Sequence, residues 1–219
     1  MPSGDRSVGT VCDLARYPLK SAAGEHLTVV DVADSGLVDD RRWVLEVAGE
    51  PLTAKEYPPL RRLHARSVEG RLEVDAGAGW GDVGSGALDG AVGARVRVRD
   101  EPGANQQAAP VHVVSVGAET GPGVEGCDPV VRANIVLDRI EPGAERTWIG
   151  RRVRIGGAEL LITALPKNCL GVYAGVVRAG TVRLGDPVLL VEEDSPGEPF
   201  PRQPVQPRAA AIRFTAPAD

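Results

Sequence analysis

Lys167 and Cys169, in the run Ala164-Leu165-Pro166-Lys167-Asn168-Cys169-Leu170, set a lone thiol next to a cation. The thiolate is the nucleophile and soft-metal ligand, and a neighbouring Lys favours it, so the pair reads as a reactive or metal-binding thiol. Taken alone, a free cysteine is more often a small buried hydrophobe, and only its company along the chain changes that balance. The other chemistry-bearing residues offer less. His26, His64 and His112 have no metal-ligand spacing with one another or with a cysteine, and Cys12 and Cys127 lack a CxxC partner. These five read as structural. Asp39 and Asp40 are adjacent, and neighbours on a strand face opposite sides, which argues against a carboxylate pair sharing a proton.

The elements that must position these groups are short and mostly extended. Strands are expected at Ser7 to Leu14, Leu27 to Val32, Arg41 to Val47, Arg71 to Asp75, Arg95 to Arg99 and Val111 to Val116. They continue at Asn134 to Leu137, Arg151 to Ile155, Glu159 to Thr163, Val172 to Val177 and Val182 to Val191. In Arg41 to Val47 the alternation puts Trp43, Leu45 and Val47 on one face, as in a half-buried strand. A short helix is expected at Tyr57 to Ala65, started by two prolines. With 27 Gly and 18 Pro marking turns, the chain reads as mainly β, closed into a barrel or sandwich, with few short helices. Gly180, Gly185 and Asp186-Pro187 read as hairpin and bulge geometry, and Trp43, Trp80 and Trp148 as core or rim packing. From Ser195 a Pro-rich tail begins, in which Ala211 to Phe214 reads as a last docked strand.

Composition excludes several classes. The 219 residues, 42% of them hydrophobic, bury a substantial core, and a net charge of -5 removes the footprint of a nucleic-acid binder. No apolar run approaches the roughly 20 residues that span a bilayer. Three cysteines and no charged-then-apolar leader argue against a disulfide framework and place the chain in the cytoplasm, with small-molecule partners.

The motifs, in order, resemble a family. Tyr17-Pro18-Leu19-Lys20-Ser21 and Gly36 to Trp43 are similar to the N-terminal β-barrel domain that precedes MOSC domains. Arg132 to Asp138, Glu145 to Trp148, and Gly171-Val172-Tyr173-Ala174 with Gly180 to Val188 resemble the MOSC domain itself. The resemblance implies an N-terminal barrel-like domain over 1–100, a MOSC β-barrel over 105–192 and a tail over 195–219. Among relatives it points to mitochondrial amidoxime-reducing components and bacterial reductases of N-hydroxylated bases, which hold a molybdenum cofactor (molybdopterin) through one protein cysteine.

Carried over by position, the resemblance makes Cys169 the metal ligand and catalytic thiol. It makes Lys20, Ser21, Arg41 and Arg132 the grip on the pterin phosphate. Ser115, Asn134 and Tyr173 would stand beside the cofactor. Arg offers a planar fork to phosphate, Lys a point charge and Ser a short donor. The implied activity is reduction of small N-hydroxylated substrates, with electrons from a separate protein, since three scattered cysteines cannot hold a four-cysteine cluster. Two features depart from the family. Leu170-Gly171-Val172-Tyr173 follows Cys169 at once where relatives carry a long loop, and Asn168 and Lys55 stand where Arg is common. Two alternatives stay open: a sulfur or cofactor carrier, and a metal-free enzyme using Cys169 as nucleophile in carbon–sulfur chemistry.

Overall fold

The computed structural model describes residues 5–77, 79–83, 87–103, 109–117, 132–166 and 170–191. The first strands are β1 (Arg6–Arg16), β2 (Glu25–His26), β3 (Val29–Ala33), β4 (Gly36–Leu37), β5 (Trp43–Val47) and β6 (Glu50–Pro51). Next come β7 (His64–Val68), β8 (Arg71–Asp75), β9 (Trp80–Asp82) and β10 (Val96–Asp100). The last are β11 (Val111–Ser115), β12 (Ile135–Asp138), β13 (Arg152–Ile155), β14 (Ala158–Ala164), β15 (Val172–Arg178), β16 (Gly180–Arg183) and β17 (Pro187–Leu190). The helices among the described residues are short: Ala87–Val92, and the 3-10 turns Pro58–Arg62 and Ala144–Trp148. The fold is mainly β, as the turn-rich sequence predicts.

The order β12-β11-β15-β14-β13-β17-β1 closes on itself through β1 and β12, giving a seven-stranded barrel. All its ladders are antiparallel except β11 with β12. Alternation fills it: Val153 and Ile155, Leu160 and Ile162, Val172 and Ala174, Val111 and Val113 are all buried in one core. β1 is the stave that closes the sheet between β12 and β17, pairing Thr10 with Asp138 on one side and with Pro187 on the other. The sheet β16-β3-β4 adds Val30, Val32, Leu37 and Val182 to the same core.

A second, smaller core lies among the sheets β10-β5-β6 and β7-β8-β9, around Leu19, Trp43, Leu45, Leu60, Leu63 and Leu88. Here the structure departs from the sequence reading. The segment from Tyr57 is a 3-10 turn ending at Arg62, and the chain then extends as β7. Pro58 and Pro59 supply no N–H, and Leu63 is already extended at ψ 113°. Val182 to Val191 is two strands, broken at Gly185, whose φ of +82° only glycine takes cheaply, while the Asp186 carboxylate accepts the Arg183 N–H. β5 is buried on both faces, since Val44 is fully covered and Glu46 pairs with Arg99. The expected strand at Ala211 to Phe214, with the rest of the tail from 195, lies outside the described residues.

Two turns connect the smaller core to the barrel. The loop after β1 is pinned along the β5 entry: Trp43 N–H donates to Pro18 O at 3.0 Å, Lys20 N–H to Trp43 O at 2.9 Å, and Arg41 N–H to Tyr17 O at 2.8 Å. On its far side Ala23 bridges to His64, and just upstream Ala15 N–H reaches Asn134 O at 2.9 Å, beside β12. Segments far apart in sequence thereby meet around residue 17.

Candidate functional site

Tyr17 is the centre of that meeting. Its backbone N–H donates to Asp40 Oδ1 at 2.8 Å, and its hydroxyl donates to Ala133 O at 3.2 Å. The Arg41 guanidinium lies 5.5 Å from the ring centroid and that of Arg132 lies 5.9 Å away, both within cation–π range. Gly24 closes on the ring edge: a Cβ there would sit 2.6 Å from Tyr17 Cδ1 and would also collide with Arg16 O. Burial pushes the phenol up to about 12, against the pull of Arg41 and Arg132, so the hydroxyl stays protonated at neutral pH.

Of the four expected grip residues, Arg41 and Arg132 lie at this ring. Lys20 and Ser21 follow it in the same loop, half-buried, and neither side chain hydrogen-bonds to a described residue. Arg132 Nη1 donates to Ala22 O at 3.3 Å, next in chain to Ser21. Arg41 is buried and ion-paired with Asp40, whose side chain is only 5% exposed. Burial raises the Asp40 pKa against the Arg41 charge and the Tyr17 and Asn134 hydrogen bonds. Ser21, Asp39 and Arg41 all carry positive φ, at 70°, 65° and 51°. A non-glycine residue held there costs of order 1–2 kcal/mol, and such strain clusters at sites where a particular geometry is needed.

The remaining expected residues divide. Asn134 is fully buried and acts as a tie: its Oδ1 accepts the His112 N–H at 3.0 Å and its Nδ2 donates to Ala15 O at 3.3 Å. Tyr173 stands across the ladder from His112, with the rings edge to face at 5.2 Å. Ser115 is not brought to this cluster. It lies three residues further along β11, about 10 Å on, and its Oγ accepts the Gly143 N–H at 2.6 Å ahead of the Ala144–Trp148 turn. Cys169 and Lys167 lie outside the described residues.

The sequence reading passed over Tyr17, Asp40 and His112. Tyr17 sat inside a quoted motif without a role. Asp39 and Asp40 lie in a turn, not on a strand, and take separate partners: Asp39 binds Arg42 and Ser67, Asp40 binds Arg41. His112 is 5% exposed, and its Nε2 lies 2.7 Å from Leu170 O; a carbonyl only accepts, so Nε2 carries the hydrogen. Burial lowers its pKa, with Arg41 adding in the same direction and the Leu170 hydrogen bond opposing. The legible signal was a histidine in an apolar run, Val111-His112-Val113-Val114, where a polar ring on a doubly buried strand needs a partner. Glu145, in the Ala144–Trp148 turn, is also fully buried, and neither carboxylate oxygen finds a hydrogen-bond partner within the described residues.

The donor set suits an oxyanion. Two guanidiniums, from the turn before β5 and the entry to β12, meet on the Tyr17 ring in the loop that also carries Lys20 and Ser21, and such groups bind phosphate through short charge-assisted bonds. Among the described residues no three His, Cys, Asp or Glu side chains gather as a metal site, and no helix is long and apolar enough to cross a membrane. No curated protein matches the chain. Residues 8–111 match the family model described as the MOSC N-terminal beta barrel domain. The loop that begins at Tyr17 and the turn before β5 fall within that match, Arg132 and Ala133 lie beyond it, and over the matched residues the chain carries a MOSC N-terminal beta barrel domain.

Proposed function

We propose that the chain binds a molybdenum cofactor (molybdopterin) and acts as an oxidoreductase on small N-hydroxylated or related substrates, with electrons delivered by a separate protein. The observation that carries this reading is the convergence of Arg41 and Arg132, 91 positions apart in sequence, on the one ring of Tyr17, beside Lys20 and Ser21. In this reading residues 1–100 and 105–192 are the two units, with β1 lent from the first to the barrel of the second.

Lys20, Ser21, Arg41 and Arg132 would hold the cofactor phosphate, and the Cys169 thiolate would be the soft ligand for the metal. When bound, the cofactor supplies two-electron chemistry at the metal. The chain's own residues bind and orient. Arg132 spans to the Ala22 carbonyl and so ties the phosphate end to the loop after β1. Asn134 holds β11 to the barrel entry, and His112 holds the Leu170 carbonyl, which follows Cys169 in the chain. Tyr173 packs on His112. Ser115, engaged by Gly143, supports the 144–148 turn and takes no part in the grip.

Metal and pterin analysis of protein expressed in a host that makes the cofactor tests the reading. The wild-type chain is expected to hold stoichiometric molybdenum, and Arg132→Ala to weaken retention by about tenfold or more, the worth of one charge-assisted hydrogen bond. A chain that holds no molybdenum after reconstitution, while Cys169 reacts fast with a thiol probe near neutral pH, would replace this reading by the sulfur-carrier or nucleophile alternative.

A further inference from the structure

We infer that Tyr17 is a positioning residue that sets the spacing of the Arg41 and Arg132 guanidiniums, so that the two cations take a tetrahedral oxyanion as one unit. The inference rests on the reading of Lys20, Ser21, Arg41 and Arg132 as the anion grip, and adds a residue to which that reading gives no role. Every part of Tyr17 is committed to the purpose. The backbone N–H holds Asp40, the acid that pairs with Arg41, and the backbone carbonyl accepts the Arg41 N–H. The hydroxyl fixes the Ala133 carbonyl, next in chain to Arg132. The ring lies under both guanidiniums, and Gly24, which lacks the Cβ that would strike the ring edge, leaves it room.

Asp40 answers part of the Arg41 charge, and a second guanidinium brought to the same ring still adds repulsion before an anion arrives. A ring that attracts both through its π face, in a half-buried setting, offsets part of that repulsion and holds them preorganised. An acid–base role for Tyr17 does not fit, because its hydroxyl already donates to a backbone carbonyl and its phenol stays protonated at neutral pH. What the site needs from this residue is the flat face. Leucine would fill similar space and supply none of the attraction.

The test is binding of inorganic phosphate to the full chain, followed by calorimetry and by the side-chain Nε–Hε resonances of the arginines. In the wild type, Arg41 and Arg132 should shift with a single shared midpoint. Tyr17→Leu should weaken binding roughly tenfold, Tyr17→Phe should restore most of it, and Tyr17→Leu combined with Arg132→Ala should be little weaker than Arg132→Ala alone. Separate midpoints for the two arginines, or a folded Tyr17→Leu chain that binds phosphate as the wild type does, would overturn the inference while leaving the grip standing. If Tyr17→Leu fails to fold, the shared midpoint and the Phe variant decide. If Arg132→Ala leaves phosphate binding unchanged, the grip itself fails and takes this inference with it.

Discussion

The two cores of this molecule are built on different rules. In the barrel, β-branched residues dominate: Val11, Val111, Ile135, Val153, Ile155, Ile162, Val172 and Val188 line a closed wall whose ladders use up the strand edges. In the smaller core Leu, Ala and one Trp predominate, and many of them come from turns: Leu19, Ala22, Leu52, Ala54, Leu60 and Leu63 all lie outside the strands. That core is framed by ion pairs between its strands and turns, Arg42 with Asp100 and Asp39, Arg99 with Glu46, and Arg66 with Glu73. Arg42 gains basicity from its carboxylates, and the Asp100 carboxyl is held below the usual carboxylate range by the Arg42 hydrogen bond. The barrel supplies stiffness, and the turn-built half supplies chain that can be bent into unusual backbone angles. Ser21, Asp39 and Arg41, the strained residues of the site, all belong to its turns.

The contrast is broken most completely by removing β1. A chain lacking residues 5–16 loses the stave that pairs with both β12 and β17, and is expected to lose the fixed barrel altogether. Near-ultraviolet dichroism of Trp148, which sits in the barrel core, would report it. A native Trp148 signal in the truncated chain would show that the barrel closes without β1.

Smaller and more discriminating are two core truncations. Leu160→Ala in the barrel and Leu60→Ala in the turn-built core each remove a fully covered side chain, and each should cost about 2–5 kcal/mol. They should differ in reach. Variants keeping only Trp148 or only Trp43 allow urea unfolding of each core to be followed separately. Leu160→Ala should move both transitions, and Leu60→Ala should move that of Trp43 more than that of Trp148, because the turns can open locally while the barrel stays closed. Equal movement would mean one cooperative unit.

The smallest expected effect is a pH dependence at the seam. His112 has a folded-state pKa below its ordinary 6.5, chiefly through burial, so the unfolded chain takes up its proton first. Its stabilising contribution is full above about 6.5 and is lost as pH falls below that value, with a slope of at most about 1.4 kcal/mol per pH unit for one proton. Denaturation midpoints measured from pH 7.5 down to 5.5 should therefore fall in the wild type, and His112→Phe should flatten part of that fall. An unchanged profile in the variant would move the effect to another group.

The barrel was legible in the sequence because its strands alternate cleanly, and one face of each meets one core. Val153/Ile155 and Leu160/Ile162 announce themselves in this way. What the barrel's first stave pairs with was not legible, since nothing local to Arg6–Arg16 names partners more than a hundred residues on. The turn-built core was read less well, because prolines and leucines around Tyr57 to Ala65 fit a helix as easily as a 3-10 turn followed by a strand. Arg41 and Arg132 were reached through motif order, and their meeting on the Tyr17 ring was not. A tyrosine in a loop carries no sequence mark that two distant guanidiniums will lie on its ring. Ser115 shows the reverse case, a hydroxyl at a motif position whose hydrogen bond goes to a neighbouring turn.

The double pairing of β1 also sets an order of events during synthesis. The stave leaves the ribosome before either barrel neighbour: β12 begins at residue 135 and β17 at residue 187, so apart from the short pairing of Ala15 and Arg16 with β2, well over a hundred residues are made before a barrel ladder can form. At 5–20 residues per second that is a wait of roughly 6 to 24 seconds, with most of both strand edges open. Meanwhile residues 17–100 hold what the smaller core needs and can collapse first, anchoring the loop that begins at Tyr17 while the strand before it still hangs free. An unpaired strand of this length is a template for a second chain. Its bulge-like register shifts, between Ser7 and Gly9 and between Val11 and Asp13, and its polar residues Arg6, Ser7, Thr10, Asp13 and Arg16 are the features that would discourage a wrong partner during the wait.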